Sequence, residues 1–147
     1  MYLVSACLAG ENCRYDGTNC KNEKIAHLVA EGQAITICPE VVGGLSVPRE
    51  PCEVVKIPNG ATKVFSRSRK DVTRNFVKGA RKALRIVRKR EIKTAIFKSY
   101  SPSCGFGKIY DGTFTEVLTD RNGITVELLR RNGVMIYTEM SLDELEL

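Results

Sequence analysis

The sequence predicts an α/β fold: a single three-layer domain with a mainly parallel central sheet flanked by helices. Two observations carry this. Short apolar runs alternate with amphipathic stretches of helical period along the whole chain, the pattern of a layered parallel sheet. The 147 residues also contain no repeat, low-complexity stretch or dividing linker, so residues 1–147 form one domain, long enough to bury its own core.

Residues 1–7 are short and apolar and read as a buried strand. A polar segment follows, most turn-like at Arg14-Tyr15-Asp16-Gly17. Residues 23–31 carry Ile25, Ala26, Leu28, Val29 and Ala30, a short helix closed by Gly32, with His27 at its surface. Residues 34–38 are a second apolar strand, ended by Pro39. Residues 54–57 and 63–66 flank Asn59-Gly60 and read as a hairpin. Asp71 or a neighbour caps the longest helix, 72–92. Residues 94–99 form a third core strand, and Tyr110-Asp111-Gly112 a second turn. A helix over 123–132 stops at Gly133, residues 134–138 form the final strand, and 141–147 make one helical turn.

Apolar content of 43% and charged content of 27% are those of a soluble globular protein. The opening MYLVSACLAG lacks a basic leader and is too short for a span. A cytoplasmic location away from membranes is therefore expected. The net charge of +6 fits acidic or phosphorylated partners, and fits solubility alone as well.

The six cysteines stand at 7, 13, 20, 38, 52 and 104 without a CxxC pair, which argues against zinc-ribbon and thioredoxin-like arrangements. His27 is the only histidine, so any site must use sulfur and oxygen. Cys7 and Cys38 end the first two strands and Cys104 lies just past the third. In a parallel sheet those ends share one edge, where ligands bind. Glycine-containing stretches such as Leu8-Ala9-Gly10 and Gly105-Phe106-Gly107 follow, and they allow close approach of backbone to a bulky ligand. Three thiolates suit a soft metal centre. Four would close a cubane cluster, whereas three leave one iron open. Packing as small hydrophobes is the alternative, and it is the reading given to Cys13, Cys20 and Cys52.

The stretches VSACLAGENCRYDG (4–17), CPEVVGGLSVPREP (38–51), KSYSPSCGFGKIYDG (98–112) and NGITVELLRRNGVMIYTE (122–139) together resemble the thiouracil desulfidases over nearly the whole chain. The resemblance implies an oxygen-sensitive [4Fe-4S] cluster with one iron not ligated by protein. Cys7, Cys38 and Cys104 match its ligands. It also implies non-redox desulfuration of a thiolated pyrimidine (thiouracil, 4-thiouridine or its nucleotide) to the oxo form, with release of sulfide.

Hydrolysis of a thiocarbonyl needs a base for water and a path for protons. Glu40, two residues beyond a ligand, is the candidate base. Ser101, just before Cys104, is the second catalytic candidate, a proton relay or oxyanion donor. Ser103, Arg14 and Arg49 are candidate substrate-binding residues, the arginines for a phosphate or a pyrimidine carbonyl. At 100° per residue Arg74, Lys78, Arg81, Lys82, Arg85, Arg88 and Lys89 share one helix face, opposite Phe76, Ala80, Ala83, Leu84 and Val87. Such a stripe suits steering of a nucleotide or a thiolated tRNA by its phosphates, and equally suits a solvated surface. Two other functions compete: a cysteine persulfide sulfur carrier with Cys104 as nucleophile, and a zinc-stabilised RNA-binding module.

Overall fold

The computed structural model describes residues 1–145 and 147. The chain runs β1 (Tyr2–Ser5), α1 (Glu23–Ala30), β2 (Ala34–Ile37), α2 (Pro39–Val42), β3 (Cys52–Lys56), β4 (Thr62–Ser66), α3 (Thr73–Lys89), β5 (Thr94–Phe97), β6 (Ile109–Tyr110), β7 (Leu118–Thr119), α4 (Ile124–Arg131) and β8 (Met135–Thr138). Four strands form one parallel sheet in the order β2-β1-β5-β8. Two antiparallel hairpins, β3–β4 and β6–β7, stand apart from it.

Alternation along the strands divides the core into two faces. Leu3, Ala95 and Phe97 pack with Ala83 and Val87 of α3 and with Val126 and Leu129 of α4. Val4 and Ile96 point the other way, onto Ile25 and Leu28 of α1 and Leu142 of the C-terminal 3-10 turn. Helix, sheet and helix thus make the three expected layers. Leu3, Ile96 and Phe97 are fully buried, each adding about 1.5–3 kcal/mol.

The layer contacts of α3 follow its sequence. Phe76, Ala80, Ala83 and Val87 are buried, while Arg74, Lys78, Arg81, Arg85, Arg88 and Lys89 are exposed and Lys82 is half-buried. Its N-terminal half receives α2 at very close range. A Cβ on Gly79 would overlap the carbonyl of Pro39, so only glycine lets the two backbones meet there. The Asn75 side-chain amide donates a hydrogen bond to the Gly43 carbonyl at 2.9 Å.

Several elements differ from the sequence expectation, each for a local reason. The first strand stops at Ser5, and Ala6–Ala9 form a 3-10 turn closed by Gly10 at φ 104°. Pro39 ends β2 but also opens α2 as its first residue, the helix position that proline tolerates best. Of the expected caps, Asp71 or a neighbour, it is the neighbour Val72 that stands at the N-cap of α3, and Asp71 receives the amide and hydroxyl of Thr73 at 2.9 and 2.6 Å. α3 stops at Lys89, before the positive φ of Glu91. The tail turn covers Leu142–Glu144, and the remaining expected tail residue, 146, lies outside the described residues. Among the described residues no helix is long and apolar enough to cross a membrane.

Candidate metal centre and the cleft around it

β1 leads to β2 on one side, while β5 joins β1 on the other, so the strand order reverses between β1 and β5. Ligands of open parallel sheets bind at such a point, beyond the carboxyl ends. Cys7 lies in the 3-10 turn after β1 and Cys38 directly follows β2 as the N-cap of α2. Cys104 lies in the loop after β5. All three are free thiols on the wall of one cleft of about 300 Å³. Cys7 and Cys104 are buried and Cys38 half-buried.

A further thiol, Cys13, lines the same cleft. Its carbonyl accepts the Cys38 Sγ at 3.7 Å. Cys52 also lines the cleft, whereas Cys20 packs in the core on the α1 side. Burial pushes the Cys104 thiol up to about 12. Contact with Cys13 and burial raise Cys38. Protonated thiols release protons when a soft metal binds. The donor set fits an iron–sulfur cluster: it is all sulfur and lines an open cleft.

Glu40 stands in the first turn of α2, two residues beyond Cys38. Its Oε1 accepts the Arg49 Nε at 3.1 Å and its Oε2 accepts the Ser103 hydroxyl at 2.9 Å. Arg49 is itself buried, its side chain 7% exposed, and donates also to the carbonyls of Ser46 and Cys13. One guanidinium thereby ties the carboxylate to the loop that carries Cys13. Ser103 is 1% exposed; its hydroxyl lies 3.1 Å from that of Ser101 and 3.6 Å from the Cys104 sulfur. Ser101 is half-buried and accepts the amides of Ser103 and Cys104, so it also caps the turn that presents the thiol.

Helix α4 holds this loop from behind. The amides of Ile124 and Thr125 donate to the carbonyls of Pro102 and Ser103 at 2.9 and 3.0 Å. A Cβ on Gly123 would stand 2.6 Å from the Ser103 carbonyl, closer than any real side chain packs. Arg14 lines the cleft half-buried, 5.6 Å over the Tyr15 ring, and reaches the Thr18 hydroxyl at 3.4 Å. All eight residues singled out in the sequence therefore line one cleft.

The cleft also holds residues that the sequence did not single out. Ser5 accepts the Lys98 amide at 2.9 Å; a serine inside an apolar strand was its only signal. Lys98 pairs with Glu139 at 2.9 Å, and Glu139 also takes the amide and hydroxyl of Ser99. Tyr100 sits at φ 66°, its ring 6.4 Å from that of Tyr110. Arg67 reaches the cleft from the loop after β4.

Residues 2–141 match the family model of 2-thiouracil desulfurases. The chain is 40% identical over 150 residues to YbbK of Bacillus subtilis (strain 168), a protein described as uncharacterized, with 99% of each chain covered. It is similar to the solved structure of TudS (DUF523), a [4Fe-4S]-dependent thiouracil desulfidase. The TM-score is 0.89 at 42% identity, covering 98% of this chain and 93% of that one. With the three-layer fold and the thiol-lined cleft, these matches carry the resemblance read from the four sequence stretches. The chain belongs to the 2-thiouracil desulfurase family.

Proposed function

We propose that this chain is an enzyme that hydrolyses the C=S bond of a thiolated pyrimidine, consuming water and yielding the C=O product and hydrogen sulfide. Cys7, Cys38 and Cys104 would hold a [4Fe-4S] cluster, three thiolates leaving one iron without a protein ligand. The observation that carries the reading is the meeting of three thiols with the Glu40 carboxylate in one cleft. When bound, the cluster supplies a soft Lewis acid suited to a thiocarbonyl sulfur.

The chain's own residues supply the rest. Glu40 takes a proton from the attacking water, while Arg49 keeps the carboxylate fixed on Oε1. Ser103 and Ser101, 3.1 Å apart, connect Glu40 to the open part of the cleft and pass protons between the two. Ser103 orients the substrate through this chain, and Arg49 acts on it by positioning Glu40. Arg14, on the cleft wall, meets the pyrimidine carbonyl or a phosphate. The substrate class covers the free base, its nucleotide and the nucleoside within RNA. Six free thiols and an oxygen-sensitive cluster fit a reducing compartment such as the cytoplasm.

The test is anaerobic reconstitution, followed by sulfide assay on thiouracil, its nucleotide and thiolated tRNA side by side. A brown protein with about four irons per chain that releases sulfide is the expected result. A colourless protein without iron, or a loaded protein releasing no sulfide, overturns the reading.

A further inference from the structure

The positive charge of this protein is concentrated in one continuous segment. Residues 67–90 hold eleven of the 23 Lys and Arg but a single acid, Asp71. The rest of the chain holds twelve Lys and Arg against sixteen acids, so outside this segment the protein is net negative. Uniform solubilisation does not produce that division.

The segment forms a path. It begins at Arg67 in the cleft wall, passes the exposed Arg69 and Lys70, and continues along α3 at Arg74, Lys78, Arg81 and Arg85. Those four lie at intervals of four, three and four residues, hence on one face over about 16 Å. As α3 leads into a strand parallel to β1, its N-terminal end lies at the sheet edge where the cysteines gather, against α2. The basic face therefore starts at the site and runs away from it.

Among the described residues, no cation of this segment stands within ion-pair distance of a carboxylate. By contrast, Glu127 of α4 pairs with both Arg130 and Arg131. Like charges three and four residues apart repel, and a cation in the first turn of a helix opposes its dipole. The arrangement works against the isolated helix and suits a polyanion laid along it.

We propose that this face binds the phosphodiester backbone of an RNA strand whose thiolated pyrimidine enters the cleft, so that the substrate is a base within RNA. The proposal rests on the desulfidase reading for the identity of the base, while the surface itself rests on charge and geometry alone. RNA is favoured over a membrane or an acidic protein because the path starts, at Arg67, in the same cleft that takes the thiolated base under the proposed function.

The test uses the reconstituted holoenzyme and an oligouridylate of about ten nucleotides carrying one 4-thiouridine, within the span that single-strand grooves cover. Fluorescence anisotropy reads binding, and sulfide release reads turnover, beside free thiouracil. Four phosphate contacts predict that affinity falls about 50-fold between 50 and 200 mM salt, from a slope of about −0.7 per phosphate. Replacing Arg74, Lys78, Arg81 and Arg85 together by Gln should weaken RNA binding at least 10-fold and lower kcat/KM on the oligonucleotide in step. Iron content and turnover of free thiouracil should stay unchanged. Free thiouracil turned over normally, with RNA not retained or retained equally by the variant, overturns this inference and leaves the desulfidase reading standing. Retention of phosphatidylserine vesicles but not RNA also overturns it. Salt-sensitive RNA binding lost in the variant, with no sulfide from any thiolated pyrimidine, supports the surface and overturns the desulfidase reading.

Discussion

The hydroxyl of Ser103 donates to the Oε2 of Glu40 across 2.9 Å, joining the loop after β5 to helix α2 across 63 residues of chain. One bond thereby links the residue beside Cys104 to the carboxylate beside Cys38, so the candidate base and two of the candidate ligands move as a unit. Replacing Glu40 by Gln keeps the shape and the Ser103 contact but removes the base. Turnover should fall about 10²–10⁴-fold, with iron content and cluster absorbance unchanged. Loss of iron in Glu40→Gln would show instead that the carboxylate serves assembly.

The three thiols should act together. Cys7→Ser, Cys38→Ser and Cys104→Ser should each lose the cluster colour and the activity, while Cys20→Ser keeps both, since Cys20 stands outside the cleft. A persulfide carrier would lose activity only in Cys104→Ser. Iron analysis with sulfide assay on the four variants separates the two chemistries.

Gly79 sets how closely α2 approaches α3. In Gly79→Ala the new methyl group overlaps the Pro39 carbonyl, and α2 must shift with Cys38 and Glu40 on its first turn. Overpacking of this kind costs about 1–3 kcal/mol. A lower midpoint in urea and a lower cluster occupancy are the expected results; an unchanged midpoint would mean that the helices separate without strain.

Glu139 gives the fold a dependence on pH. Burial pushes its carboxyl up, but the Ser99 amide and the Lys98 ammonium more than offset this and hold it below its ordinary 4.5. A carboxyl held low in the folded state stabilises fully above its unfolded pKa, and that contribution disappears as pH falls through the lower folded value. Glu139→Gln should therefore be less stable than the natural chain at pH 7, by about 1–3 kcal/mol for a charged hydrogen bond. The gap should close as pH drops below 4.5. Urea unfolding at several pH values reads it directly.

Short, dense apolar runs made the sheet legible. Residues such as Leu3, Ile37 and Phe97 mark strands by composition alone, and the strand ends then placed Cys7, Cys38 and Cys104 at one edge. Elements such as α2, β6 and β7 were not legible, because α2 spans four residues and β6 and β7 two each, about one period of the helix or strand pattern and too little to show a repeat. Nor does spacing reveal polar partners brought together by folding. Arg49 reads as a candidate substrate contact, and only the fold shows that it is held by Glu40 of α2 and the Cys13 carbonyl. The Lys98–Glu139 pair depends on β8 lying beside β5.

The parallel pairing of β5 with β1 fixes the order of events in maturation. Thiols at positions 7 and 104 become neighbours only after a long crossover has closed, and such closure is among the slow steps of folding. In the unfolded chain these thiols are scattered, whereas the finished sheet brings them to one cleft. Under the proposed reading, a cluster would therefore find its site only in a chain that has completed its fold.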